Sequence, residues 1–187
     1  MKGYNMQLLK WFQVGLLTGT LAVSSGSVGV LSQSVQAQES QVSITSAQSS
    51  GFRLLDAKAS EQSVDTRNTM YYFTINLPKD APRLERITIL QVGGRNLIEY
   101  NKDRIGTFVN RQRGQQVPLK EIKIDPKSQE VTVVFARPLQ PGQIVTVNIG
   151  PFENPQTDGN YLFSVKAFPQ GDTNGQLVGY ARLRFVR

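Results

Sequence analysis

An all-β fold, a single immunoglobulin-like antiparallel β-sandwich of eight or nine short strands, is predicted by three features of the sequence. From Gly51 onward, short apolar runs follow one another at intervals of about ten residues, with turn residues between them. Within the runs, large apolar side chains alternate with polar ones, the period of a half-buried strand. Beyond residue 50 no stretch holds a long 3.6-residue period.

Phe52-Arg53-Leu54-Leu55 forms the first strand. Residues 70–77 form a stronger one, with Tyr71, Phe73, Ile75 and Leu77 on one face and Thr74 and Asn76 on the other. Pro78 has no amide hydrogen to donate and ends it. Asp80-Ala81-Pro82-Arg83 is a turn or a short helical start. A strand resumes over 86–92, with Ile87 and Ile89 inward, and Gly93-Gly94 breaks it. Leu97-Ile98-Glu99-Tyr100 is a short candidate strand. Residues 104–109 are open between a loop and one helical turn that buries Ile105 and Phe108, and the polar, basic stretch 110–116 is expected at the surface.

Ile122 and Ile124 mark the next strand, Asp125-Pro126-Lys127-Ser128 a turn, and Val131, Val133 and Phe135 the returning strand of a hairpin. Pro138-Leu139-Gln140-Pro141-Gly142 is a rigid turn in which Gly142 supplies a positive φ. Val145, Val147 and Ile149 then alternate, as do Tyr161, Phe163, Val165 and Ala167. The last strand, 177–186, turns Leu183 and Phe185 inward and Arg182 and Arg184 outward.

Residues 1–37 have the layout of a secretory signal. Lys2 and Lys10 give a positive start, an uncharged run rich in Leu, Val and Gly spans 11–31, and Val35-Gln36-Ala37 places small residues where a signal peptidase cuts, after Ala37. Thr18, Thr20, Ser24, Ser25 and Ser27 dilute that run, which favours cleavage over a permanent anchor. There is no twin-arginine pair, which points to the general secretory route. Residues 38–50 are Gln/Ser-rich and read as a flexible lead-in with a short strand at 42–44; the sandwich occupies 51–187. The compartment predicted is periplasm, thylakoid lumen or exterior.

The 187 residues carry a net charge of +7; without Lys2 and Lys10, 19 Lys and Arg face 14 acids, a charge of +5. A basic exported protein can rest against anionic lipid heads or anionic polysaccharide. The chain has no cysteine and no histidine. That removes disulfides, thiolate and imidazole metal sites, the cysteine nucleophile and the Ser-His-Asp triad. No motif for nucleic acid is present, and the association expected with membrane is peripheral rather than integral.

The C-terminal half carries an ordered string: Phe135, Pro138-Leu139-Gln140-Pro141-Gly142, Asn154-Pro155, Gly159-Asn160-Tyr161-Leu162-Phe163, Ala167-Phe168-Pro169, Gly171 and Gly179-Tyr180-Ala181-Arg182-Leu183. Together with the segment from Tyr71 to Ile89 it resembles the family of small secreted cyanobacterial proteins known as domain of unknown function 2808, over about residues 52–187. The resemblance implies an exported envelope protein. It implies no reaction and no functional residue. The same residues have structural readings: glycines for turns, Asn154-Pro155 for an extended or turn form, and Tyr161, Phe163 and Phe168 as core aromatics.

Four constellations bear on chemistry. Asp158-Gly159-Asn160 and Asp172-Thr173-Asn174-Gly175 offer oxygen ligands near glycine; the second resembles the opening of a calcium loop but lacks its closing Glu, and a hairpin turn accounts for it. A carbohydrate-active enzyme needs two carboxylates facing one cleft, and the acids here are scattered. No Ser-x-x-Lys motif follows the signal. Finally, Tyr72 and the basic residues Arg104, Arg111 and Arg113 suit a surface for an anionic envelope polysaccharide or a lipid head, since tyrosine stacks on sugar rings and arginine forks onto phosphate or carboxylate. The alternation places Tyr71 inward and Tyr72 outward. The sequence therefore predicts a non-enzymatic exported envelope protein without a cofactor, with a structural or binding role. Its expected partners are an anionic polysaccharide or an envelope protein.

Overall fold

A computed structural model describes residues 51–110 and 114–187. The predicted signal at 1–37, the lead-in at 38–50 with its strand at 42–44, and Arg111 and Arg113 lie outside the described residues. Among the described residues every regular element is a strand. They are β1 (Arg53–Ala59), β2 (Tyr71–Asn76), β3 (Leu84–Gly93), β4 (Tyr100–Val109), β5 (Gln115–Gln116), β6 (Leu119–Ile124), β7 (Val131–Leu139), β8 (Ile144–Pro151), β9 (Gly159–Pro169) and β10 (Gln176–Phe185). Two antiparallel five-stranded sheets, β1-β2-β8-β4-β5 and β10-β9-β3-β7-β6, form the sandwich. β1 packs against β10 along one side and β4 against β6 along the other.

Alternation explains which residues fill the space between the sheets. Tyr71, Phe73 and Ile75 of β2, and Val145, Val147 and Ile149 of β8, face Ile87 and Ile89 of β3, Val131 and Val133 of β7, and Phe163 and Val165 of β9; all are buried. Tyr71, Tyr161 and Phe185 form an aromatic cluster at one end, with Phe185 5.6 Å from Tyr71 and 5.5 Å from Tyr161, centroid to centroid. The Tyr161–Phe185 pair is edge-on and the Tyr71–Phe185 pair tilted; aromatic pairs add roughly 0.5–1.5 kcal/mol each beyond area burial.

The hydroxyls of the two tyrosines must be satisfied as well. Tyr161 Oη donates to the Thr157 carbonyl at 2.8 Å. Tyr71 Oη donates to Oδ1 of Asn154 at 2.9 Å, and Asn154 Nδ2 donates to the carbonyls of Ser63 at 2.7 Å and Glu61 at 3.0 Å. Asn154, fully buried, thus ties the segment after β1 to the core. Burial pushes the Tyr71 hydroxyl well above its ordinary pKa, helped by Tyr100 and Tyr161, and burial does the same to Tyr100.

The turns follow their sequence signals. Gly142 has φ of +80° and its amide donates to the Leu77 carbonyl at 2.7 Å. Asp125 Oδ1 accepts from the Ser128 and Lys127 amides, which holds its carboxyl below the usual range and closes the β6–β7 hairpin. Asp172 Oδ1 accepts from the amides of Asn174 and Gly175 in the β9–β10 hairpin, the turn role expected for that motif.

Four details depart from expectation. The strands described number ten. Residues 104–109 are neither loop nor helical turn but most of β4, because β8 offers them a long antiparallel partner. Leu97, Ile98 and Glu99 are not strand, and β4 begins at Tyr100. Phe168 is buried but outside the sandwich interior: it lies beside Arg86 on the outer face, with the guanidinium carbon 4.0 Å from the ring centre.

Candidate functional site

The outward face of the sheet β1-β2-β8-β4-β5 can be read row by row from the strand register. Tyr72 of β2 stands opposite Lys58 of β1 and Asn148 of β8, and Asn148 stands opposite Gly106 of β4. The next row runs Asp56, Thr74, Thr146, Phe108 and Gln116. Thr74 and Thr146 share a hydrogen bond between hydroxyls at 3.2 Å. Tyr72 and Phe108 are half-buried, so each ring keeps part of its surface toward water. They sit two strands apart, roughly 10 Å across the sheet.

The structure therefore puts Tyr72 where alternation predicted, outward. Phe108, which the helical-turn alternative would bury, is outward as well. Its neighbour Thr107 takes the inward place, fully buried, with Oγ1 donating to the Val117 carbonyl at 3.2 Å. β4 thus inverts the usual pattern, hiding a threonine and showing a phenylalanine. Departures from local rules of this kind gather at functional or strained sites.

Asn148 adds a second anomaly. Its Oδ1 is buried and has no hydrogen-bond partner. An orphaned buried acceptor costs about 1–3 kcal/mol. Gly106 faces it: a Cβ at 106 would lie 3.1 Å from that oxygen, so glycine leaves the amide its room.

Arg104 lies on the same face as Tyr72, one row further along. Its Nη1 donates to the Pro151 carbonyl at 2.9 Å and its Nη2 to the Thr69 carbonyl at 2.8 Å. The side chain lies over Gly150, where a Cβ would come within 2.7 Å of Arg104 Cβ. Half-buried, the guanidinium straps the end of β8 to the start of β2. Of the four predicted site residues the structure brings Tyr72 and Arg104 onto one face, and Arg111 and Arg113 belong to the connection between β4 and β5 outside the described residues. Asn148 and Phe108 escaped the sequence reading; the adjacent Thr107-Phe108 parity was the available signal for the second.

Two clefts lie elsewhere. One of about 540 Å³ is lined by Arg95, Asn96, Glu99, Phe152 and Asn154, and another of about 600 Å³ by Val109, Val117, Pro138 and Leu139. Among the described residues no group of three acids is placed to hold a metal ion.

A family model described as "Protein of unknown function (DUF2808)" matches residues 38–185. No curated protein matches the chain in sequence. Among solved structures, the collagen adhesin of S. aureus is similar at 10% identity over 70% of this chain and 48% of its own, with a TM-score of 0.42. The N-terminal domain of the Streptococcus gordonii adhesin Sgo0707 is similar at 10% identity over 70% of this chain and 32% of its own, with a TM-score of 0.47. The bacterial hydrophobin BslA is similar at 14% identity over 72% of this chain and 92% of its own, with a TM-score of 0.39. The chain spans less than half the length of those two adhesin structures. All three scores fall below 0.5, too low to carry a function across.

Proposed function

The chain belongs to the family described as protein of unknown function (DUF2808), and we propose that it is an exported, non-enzymatic envelope module that binds anionic polysaccharide on the outer face of the sheet β1-β2-β8-β4-β5. The observation that carries this reading is the inverted pattern of β4, which spends a buried place on Thr107 so that Phe108 faces water beside Tyr72. Beside the two rings lie the uncharged hydroxyl of Thr74 and amide of Asn148. Ring faces stack on the apolar faces of sugars, and hydroxyl and amide groups exchange hydrogen bonds with sugar hydroxyls. Lys58 beside Tyr72, with Arg111 and Arg113, supplies positive charge for carboxylate or phosphate groups along the polymer. Asp56 is the one acid in the two rows, where glycoside hydrolysis needs a pair. Export rests on the signal at 1–37, cleaved after Ala37, and a cyanobacterial envelope rests on the family resemblance.

The test is retention of purified protein on immobilised acidic polysaccharide at low and high salt. Tyr72→Ala with Phe108→Ala is expected to lower retention at both salts, and Arg111→Ala with Arg113→Ala to lower it at low salt only. Retention of the aromatic double variant at the level of the natural protein overturns the reading.

A further inference from the structure

The opposite sheet presents a face of different chemistry. Strand β10 is its edge, and Leu177, Tyr180, Arg182 and Arg184 point outward from it. Their cross-strand partners on β9 are Lys166, Ser164, Leu162 and Asn160 respectively. Tyr180 is 62% exposed and Leu177 45%. Strands β9 and β10 contain Lys166, Arg182 and Arg184 but no Asp or Glu. None of these three cations forms an ion pair with a described residue.

The neighbouring edge extends the surface. Leu54 of β1 lies against Gly179, 3.0 Å from where a Cβ there would stand, so the strand that carries the bulged Leu55, 53% exposed, borders β10. Three exposed apolar side chains therefore border three unpaired cations along one edge of the sandwich.

We propose that this edge docks on the surface of an anionic lipid bilayer. The combination selects the partner. Cations alone suit any polyanion, but Leu55 and Leu177 offer nothing to a hydrated polymer. At a bilayer the leucines enter the headgroup–acyl boundary, Tyr180 sits at the interface with its hydroxyl wet, and Lys166, Arg182 and Arg184 meet anionic heads. This surface belongs to the other sheet and does not depend on the polysaccharide site.

Each surface cation contributes about 1 kcal/mol against an anionic leaflet, so three together amount to roughly a hundredfold in affinity. The experiment is co-sedimentation of the full chain with vesicles of phosphatidylcholine, with and without phosphatidylglycerol. Binding is expected only to the anionic vesicles, and to fall roughly a hundredfold in K166A/R182A/R184A. R182K/R184K should keep most of it, and L55S/L177S/Y180S should remove the part that survives high salt. Y72A/F108A should bind vesicles normally, which separates this face from the polysaccharide site. Circular dichroism of each variant reports the fold. Equal binding by the triple charge variant, equal binding to uncharged vesicles, or competition by soluble acidic polysaccharide at low concentration would overturn the proposal.

Discussion

Replacing Asn154 by Ala should be among the costliest single substitutions in this domain. The side chain is fully buried and makes three hydrogen bonds, one from Tyr71 Oη at 2.9 Å and two to the Ser63 and Glu61 carbonyls at 2.7 and 3.0 Å. Alanine orphans all three partners at once. An orphaned buried group costs about 1–3 kcal/mol. The two carbonyls belong to an exposed segment that water can reach, so they fall at the low end and the total is about 4 kcal/mol. That is a large share of the roughly 5–15 kcal/mol that holds a domain folded, and corresponds to a drop in melting temperature of about 12 °C. Tyr71→Phe removes a single donor and should cost about 1–2 kcal/mol. In the double variant the tyrosine orphan no longer exists, so the combined loss should fall short of the sum by about 1 kcal/mol or more. Urea melts of the natural protein, both singles and the double supply the cycle. A loss below about 1 kcal/mol for N154A, or strict additivity, would refute this account of the buried amide.

Gly94 has φ of +127°, and a Cβ there would meet the Tyr161 ring at 2.3 Å, so Gly94→Ala should destabilise by about 2–4 kcal/mol in the same melts. Arg104→Ala should cost about 1.5–3 kcal/mol by releasing the Pro151 and Thr69 carbonyls, so any loss of polymer binding in that variant must be read against its melting curve. Tyr71 and Tyr100 have folded pKa values raised by burial above the ordinary value near 10. Above that pH the unfolded chain sheds these protons while the folded one keeps them, so their stabilisation is intact below about pH 10 and is lost as pH rises beyond it, at about 1.4 kcal/mol per unit for each tyrosine. Melts between neutral pH and strong alkali check this. A flat profile past pH 11 would remove the buried phenols from the explanation.

The sandwich was legible because most strands obey one rule. In β2, β8, β9 and the part of β10 from Gly179 onward a strict alternation names the inward residues without reference to any partner, and Arg182 and Arg184 fall outward on that ground alone. β4 resisted because Thr107 and Phe108 exchange places relative to the rule, and no local signal says that β8 lies beside it. Phe168 was legible as buried but not as to where, since what covers it is a guanidinium rather than the opposite sheet. Asn154 reads from sequence as a residue that biases the chain before proline; its burial depends on Tyr71, 83 positions away. The site shares this division. Tyr72 followed from parity, whereas Asn148 and Gly106 acquire meaning only when β8 and β4 are set side by side.

The order of strands within the sheets also governs when the chain can fold. β8, the middle strand of one sheet, pairs with β2, and Thr74 waits for Thr146, 72 positions later. β3, the middle of the other, needs β9. At roughly 5–20 residues per second a ribosome takes about 4–14 s to bridge that interval. Until then β2 lacks its β8 neighbour and β3 its β9 neighbour. Pairing so distant in sequence is intrinsically slow even in the finished chain. The topology thus delays completion of both sheets until late in synthesis, which suits the export proposed above.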